Sequence, residues 1–238
     1  LYFRHDIIRI LGAWFGSLFG KEGKDFKSRM GAHNRDTQMG WFIIIGTLPI
    51  LIAGLLFKDA IESTLRNLWI TVTVLIIFGI LLWVVDARAK QVKTMDEMTW
   101  KDALIFGIGQ MLALIPGVSR SGGTITFGRA MGYTREAAVR VSFLMAIPAV
   151  FGAGILEAVS AVKDVAAGNA GMFPGWGATI AATIVAFVVG YVVIIGFLKF
   201  VSTFSYKAFA IYRIALAVVV ALLLICGVLH PTEVVAAA

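Results

Sequence analysis

The chain has 238 residues, a formal net charge of +7 and an apolar fraction of 59%, while only 15% of its residues are charged. Soluble domains average roughly 45–50% apolar and about 25% charged residues, so this composition argues against a soluble fold and favours a helical membrane protein. The basic residues lie in short gaps between apolar runs rather than on one face. We therefore expect no nucleic-acid partner.

Apolar runs follow one another along the chain at 39–57, 68–85, 103–119, 141–156, 177–198 and 214–229. Several of them approach the ~20 residues that an α-helix needs to cross a bilayer. The sequence therefore predicts an all-α, polytopic integral membrane protein. We expect residues 1–238 to form a single membrane domain.

The gaps between these runs differ in positive charge. Gaps with at least three Lys or Arg residues are 4–36, 86–102, 129–140 and 199–213. Gaps with two or fewer are 58–67, 157–175 and the tail after His230. The positive-inside rule places the rich gaps in the cytoplasm and the poor gaps outside. Simple alternation fails only around the run at 103–128, because the gaps on both of its sides are rich.

The run at 103–128 contains helix-breaking residues near its middle. They are Pro116, Gly117, Gly122 and Gly123. We favour a re-entrant hairpin at about 103–132, in which 103–115 enters from the cytoplasm and 124–132 returns. Non-helical backbone at such a depth must be buried in protein or line a wet cavity. The alternative is a kinked spanning helix, which would place one arginine-bearing gap outside.

A weak internal similarity links TLPILIAGLLFKDAIES at 47–63 with AIPAVFGAGILEAVSAVKD at 146–164. Internal repeats in many transporters place a site made of broken helices at the membrane midplane. Coincidence in such low-diversity sequence is the alternative explanation. The Gly- and Ala-rich patch at 149–154 predicts close helix packing.

Arg120 is the only charged residue among the 26 residues between Asp102 and Arg129. A charged side chain at the bilayer centre costs at least ~2.5 kcal/mol, so Arg120 needs an aqueous cavity or an anion. The planar fork of an arginine matches phosphate oxygens in a bidentate manner. Anion binding is therefore one interpretation, and a structural turn in which Arg120 pairs with a carboxylate is the other.

The neighbours of Arg120 suit an anion. Hydroxyl donors come from Ser119, Ser121 and Thr124, and close backbone approach is permitted at Gly117, Gly122 and Gly123. A helix that begins near Gly123 would direct its positive N-terminal end at the same place. Gln110 could hydrogen-bond toward this site or to a neighbouring helix.

Other polar residues near the ends of the apolar runs need no role in a binding site. Arg129, Arg135 and Arg140 are expected to be cytoplasmic anchors, and Tyr212 and Arg213 are expected to belong to an interfacial belt. The three histidines are scattered without the spacing of metal ligands. We therefore assign no residue of this sequence to a metal.

The segment GQMLALIPGVSRSGGTIT at 109–126 resembles a signature of the bacterial undecaprenyl-diphosphate phosphatase family, the bacitracin-resistance membrane phosphatases. That signature reads roughly P-G-x-S-R-S-x-x-T and falls here on Pro116, Gly117, Ser119, Arg120, Ser121 and Thr124. The resemblance continues through FAIYR at 209–213 and covers essentially the whole chain.

The resemblance implies a membrane enzyme with an inverted repeat and two re-entrant hairpins. Its activity would be the hydrolysis of undecaprenyl diphosphate to undecaprenyl phosphate and phosphate. We expect catalytic roles for Arg120, Ser119 and Ser121, and we expect substrate binding by Gly117, Gly122, Gly123, Thr124 and Gln110. A transporter or flippase for a phosphorylated lipid is the alternative.

The resemblance also implies partners and a location. The expected partner is a polyprenyl diphosphate lipid, and the expected location is the bilayer of the bacterial plasma membrane. A homodimer is a further expectation. The site would open to the outer face, where the spent lipid carrier is found.

One part of the family pattern is absent from the sequence. A first signature, similar to E-x-x-x-E-x-x-P-x-S-S-x-G-H, is not found here and would lie upstream of Leu1. The nucleophile or general base, and the carboxylates for a divalent cation such as Mg²⁺ or Ca²⁺, would belong to that upstream part. Because the chain also opens without an initiator methionine, we expect the sequence to be a fragment with half of a catalytic site.

Overall fold

The computed structural model describes residues 1–168 and 174–232, and these ranges contain α-helices and no β-strand. The helices are α1 Arg4–Leu18, α2 Phe26–Arg29, α3 Arg35–Leu56, α4 Lys58–Glu62, α5 Leu68–Arg88, α6 Trp100–Met111, α7 Arg120–Ala130, α8 Arg135–Ala166, α9 Trp176–Thr203 and α10 Lys207–Ile225. Single turns of 3₁₀-helix lie at Thr64–Arg66, Met95–Glu97 and Leu112–Leu114.

Five of these helices, namely α3, α5, α8, α9 and α10, are long and apolar enough to cross a membrane. Each coincides with a predicted apolar run and extends a few residues into the flanking polar sequence. Side-chain caps set several starts, because Asn34 accepts the N–H groups of the first turn of α3 and Asn67 caps α5. The prediction of an all-α, multi-pass membrane protein is confirmed.

The gaps that are rich in Lys and Arg come together at one end of the bundle, which we call the basic end. There the start of α3 meets the start of α6, since Arg35 Nη2 donates to the carbonyl of Met98 at 2.8 Å. Arg140 of α8 forms an ion pair with Asp6 of α1 at 2.8 Å. At the opposite end, the N–H of Leu68 donates to the carbonyl of Pro231 at 2.7 Å.

Helices α6 and α7 form an antiparallel hairpin whose open end lies at the basic end. At 1.5 Å per residue their 12 and 11 residues are about 18 Å and 16 Å long, less than the ~30 Å hydrocarbon thickness of a bilayer. The two helices touch through glycine, because a β-carbon added at Gly109 would lie 3.0 Å from the carbonyl oxygen of Gly123. On the opposite face of α6, Gly107 packs against Gly46 of α3.

The tip of this hairpin lies deep in the bundle. A β-carbon added at Gly117 would lie 2.8 Å from the carbonyl oxygen of Thr71, near the start of α5. Thr71 and Asp86 lie 15 residues apart on α5, which is about 22 Å, while Arg120 lies nine residues, about 14 Å, from Arg129, whose side chain pairs with Asp86. The tip is therefore about 14–22 Å from the level of Asp86 at the basic end.

Two predictions about glycines need correction. The returning helix begins at Arg120 rather than near Gly123, because Ser119 caps it and the glycines at 122 and 123 fit in its first turn. The patch at 149–154 is not closely packed within the described part of the chain, since a β-carbon at Gly152 or Gly154 would have no heavy atom within 4 Å.

Candidate functional site

The hairpin tip is a strained turn followed directly by a helix. Gly117 has a φ of +99°, and Ser119 has a φ of +67°, a value that non-glycine residues rarely adopt. Such a conformation costs on the order of 1–3 kcal/mol and must be held by its surroundings. Ser119 Oγ accepts the N–H of Gly122 at 3.3 Å, and its carbonyl accepts the N–H of Gly123 at 2.8 Å. This capping starts α7 immediately after Ser119.

Two backbone N–H groups remain unused in the first turn of α7. Within the described ranges, neither the N–H of Arg120 nor that of Ser121 has a protein acceptor. Together with the dipole of the helix, these groups form a local centre of positive potential. Backbone donors of this kind bind anions, phosphate in particular.

Arg120 adds a full positive charge to this centre. Its side chain is half-buried, and it makes no ion pair with any carboxylate that the structure describes. A buried guanidinium without a partner is costly, and the cost falls when an anion binds to it.

A cleft of about 480 Å³ opens beside the tip. It is lined by Leu75, Leu82, Gly117, Ser119, Ser121, Gly122, Ile125, Phe197, Tyr206, Phe209, Tyr212, Arg213 and Leu216. Its walls are mostly apolar, with Ser119, Ser121 and Arg213 at the hairpin tip and Tyr206 toward the basic end. Arg120 is not among the residues that line this cleft, although it is the neighbour of two that do, Ser119 and Ser121.

The structure brings only some of the predicted site residues to the cleft. Those that line it are Gly117, Ser119, Ser121 and Gly122. Thr124 is buried, and its hydroxyl donates to the carbonyl of Arg120 at 2.7 Å, so its hydrogen is not directed at the cleft. Gly123 packs against Gly109 inside the hairpin. Gln110 is fully buried, and both atoms of its amide lack a hydrogen-bond partner.

Arg213 was expected in an interfacial belt, and that prediction is wrong. Its exposed fraction is only 8%, whereas that of its neighbour Tyr212 is 65%. Arg213 Nη1 donates to the carbonyl of Val118 at 2.8 Å, and Nη2 donates to the carbonyl of Gly117. Helix periodicity could have signalled this, because Arg213 shares a face of α10 with the buried residues Ala210 and Ala217.

Arg129 was expected to be a cytoplasmic anchor, and it lies at the basic end, but it is not in contact with solvent. It is fully buried, and its Nε donates to Asp86 Oδ1 at 2.9 Å. Arg135 and the backbone N–H of Tyr206 donate to the same carboxylate.

Burial raises the pKa of the Tyr206 hydroxyl above its ordinary value, so this group at the edge of the cleft stays protonated at neutral pH.

A divalent cation has no evident ligands in the described ranges. They contain no group of three or more His, Cys, Asp or Glu side chains that could hold a metal ion. The residues present at the tip are hydroxyl and guanidinium donors, which bind anions rather than cations. We therefore assign no chemical step to a metal.

Sequence comparison places these observations among known proteins. The chain is 76% identical over 233 residues to the undecaprenyl-diphosphatase of Bifidobacterium animalis subsp. lactis, a match that covers 98% of this chain and 78% of that protein. It is 70% identical over 229 residues to the undecaprenyl-diphosphatase of Bifidobacterium longum subsp. infantis, with 96% and 77% covered. Identity to the undecaprenyl-diphosphatase of Paenarthrobacter aurescens is 52% over 224 residues, with 94% and 77% covered. Residues 1–219 match the family described as bacitracin resistance protein BacA. The chain, with its membrane helices and its PGVSRSGG hairpin tip, belongs to the BacA family.

Proposed function

We propose that this chain hydrolyses undecaprenyl diphosphate to undecaprenyl phosphate and inorganic phosphate. The relatives that match it at 52–76% identity carry the name undecaprenyl-diphosphatase. The structural observation that carries the proposal is the hairpin tip, which holds an unpaired guanidinium, two serine hydroxyls and free N–H groups at the start of α7. This donor set suits the oxygens of a phosphate or diphosphate group.

The hydrolysis is a phosphoryl transfer to water. The oxygen of water attacks the terminal phosphorus, the bridging P–O bond breaks, and its electron pair leaves with undecaprenyl phosphate, while the proton that the water gives up passes to a phosphate oxygen or to solvent. Catalysis of such a step rests mostly on positioning and on electrostatic stabilisation of the phosphate oxygens. Arg120 supplies the fork for two oxygens, and the free N–H groups of Arg120 and Ser121 supply fixed dipoles.

The serines complete the polar side of the site. Ser121 is half-buried, and its hydroxyl makes no hydrogen bond within the described ranges, so it is available to a phosphate oxygen. Ser119 has an exposed side chain beside it, and its Oγ also holds the first turn of α7. We expect Ser119 to act in both ways.

The access route follows from the depth of the tip. We take the hairpin to be re-entrant and the basic end to be cytoplasmic, as the positive-inside rule requires. Arg120 lies nine residues, about 14 Å, from Arg129, which pairs with Asp86. Thr71 beside Gly117 lies about 22 Å from Asp86, so the tip is near the middle of the ~30 Å hydrocarbon layer. We propose that a diphosphate headgroup reaches this depth from the outer face of the plasma membrane, as the resemblance implies, while its prenyl chain stays in lipid.

The test uses the protein expressed from its complete open reading frame and reconstituted in vesicles with undecaprenyl diphosphate. We expect release of inorganic phosphate, with undecaprenyl phosphate as the lipid product and no release from undecaprenyl phosphate itself. Saturable binding of the lipid without any release of phosphate would contradict hydrolysis and would support a transporter or flippase.

A further inference from the structure

Arg213 connects α10 to the hairpin tip across a large distance in sequence. Its two terminal nitrogens donate to the consecutive carbonyls of Gly117 and Val118. The guanidinium fits there because residue 122 is a glycine, since a β-carbon added at Gly122 would lie 2.7 Å from Arg213 Nη1. The two terminal nitrogens of Arg213 therefore bind the backbone of the turn rather than a side chain.

The charge of Arg213 has no carboxylate partner within the described ranges. Its Nε is buried without a hydrogen-bond partner, and within residues 1–168 and 174–232 the two carbonyls are the only acceptors of its guanidinium. Arg129 is more deeply buried but pairs with Asp86. Burying a cation against carbonyls alone is unfavourable, so a purely structural role would be filled better by an apolar side chain.

The hydrogen bonds from Arg213 fix the direction of the peptide groups in the turn. In a trans peptide group the C=O and the N–H point in opposite directions. The carbonyl of Val118 points at Arg213, so the N–H of Ser119 points away from α10. Arg213 lines the same cleft as Ser119 and Ser121, so its guanidinium covers the two carbonyls that would otherwise present negative dipoles to a phosphate there.

We infer that Arg213 is a positioning residue for the phosphate site, which fixes the turn at 117–119 so that N–H groups rather than carbonyls face the substrate. This inference rests on the proposed function. Arg213 acts through the turn, because both of its terminal nitrogens donate to backbone carbonyls there. Its own charge also lowers the cost of bringing a diphosphate to the tip.

The test compares Arg213→Met and Arg213→Lys with the same changes at Arg88, an exposed arginine in the last turn of α5. We expect Arg213→Met to lower kcat by about tenfold to a hundredfold with little change in KM, because small displacements of catalytic groups have effects of this size. Arg213→Lys should recover little, since one ammonium cannot hold both carbonyls. The Arg88 variants should keep wild-type kinetics.

A second measurement does not depend on activity. Hydrogen exchange of the amides at 119–123 should become faster in both Arg213 variants, while the amides of α8 keep wild-type protection. Wild-type kcat together with wild-type exchange in Arg213→Lys would overturn the inference, even if Arg213→Met fails to fold. If the wild-type protein released no phosphate, the proposed function would be wrong. Hydrogen exchange at residues 119–123 would then still show whether Arg213 holds the turn in place.

Discussion

Arg129 Nε and Asp86 Oδ1 lie 2.9 Å apart, and both side chains are buried at the base of the hairpin. Arg135 and the backbone N–H of Tyr206 donate to the same carboxylate. Asp86 therefore joins α5, the end of α7, the start of α8 and the segment before α10. This carboxylate fixes the base of the hairpin, as Arg213 fixes its tip.

The first prediction concerns this carboxylate. Asp86→Asn should destabilise the protein by about 3–5 kcal/mol, because it leaves the buried Arg129 without a counter-charge. Thermal unfolding in detergent measures the effect as a large fall in Tm. The matched control is Asp96→Asn, since Asp96 is exposed and forms no ion pair in the described ranges. Equal Tm values for the two variants would show that Asp86 does not hold the bundle together.

The second prediction concerns the glycine contact inside the hairpin. Gly109→Ala should destabilise the protein by about 1–3 kcal/mol, because the new methyl group would lie 3.0 Å from the carbonyl oxygen of Gly123 and 3.1 Å from Cγ of Phe127. Gly154→Ala is the control, since no heavy atom lies within 4 Å of that position and alanine favours helix more than glycine does. If both variants unfold at the same temperature, the hairpin helices are not in the close contact described above.

The third prediction concerns pH. Burial raises the pKa of Asp102, but the hydrogen bonds that its carboxylate accepts from Lys93 and Thr99 outweigh this, so the pKa lies below its ordinary value. The stabilisation by a carboxylate with a depressed pKa is present above the unfolded-state pKa of about 3.9 and is lost as the pH falls through the folded-state pKa. The Tm difference between wild type and Asp102→Asn should therefore be constant from about pH 5 to 7 and shrink below about pH 4.

A variant of the partner checks the cause of this pH dependence. Lys93 Nζ lies 2.8 Å from Asp102 Oδ2, so Lys93→Met should reduce the depression of the pKa and begin the loss of stability at a higher pH. An unchanged profile in Lys93→Met would mean that the ion pair does not contribute.

Much of the fold could be predicted from the sequence, because helices that cross a membrane consist of long apolar runs. All five spanning helices coincide with such runs. The start of α7 was misplaced because glycines at 122 and 123 were expected to break a helix, whereas the cap at Ser119 starts it earlier. Local side-chain capping here outweighs the low helix propensity of two glycines.

The site was predictable only where its chemistry is local in sequence. Ser119, Arg120 and Ser121 stand out as polar residues in an apolar run, but the burial of Arg129 and Arg213 depends on contacts made across the bundle. A basic residue at the end of an apolar run is usually an interfacial anchor. The sequence offers a contrary signal only for Arg213, which shares a helix face with Ala210 and Ala217. Only the three-dimensional arrangement shows what their guanidinium groups bind.

The central claim is that the guanidinium of Arg120 binds the diphosphate. The kinetics of single-residue variants test this claim most directly. We compare phosphate release from undecaprenyl diphosphate by wild type, Arg120→Ala and Arg120→Lys, with Arg88→Lys as the control. We expect Arg120→Ala to lose about 10²-fold or more in kcat/KM, the scale found when one transition-state donor is removed. Arg120→Lys should recover little of this, because the fork is lost while the charge remains. Turnover close to wild type in a folded Arg120→Lys protein would contradict the account.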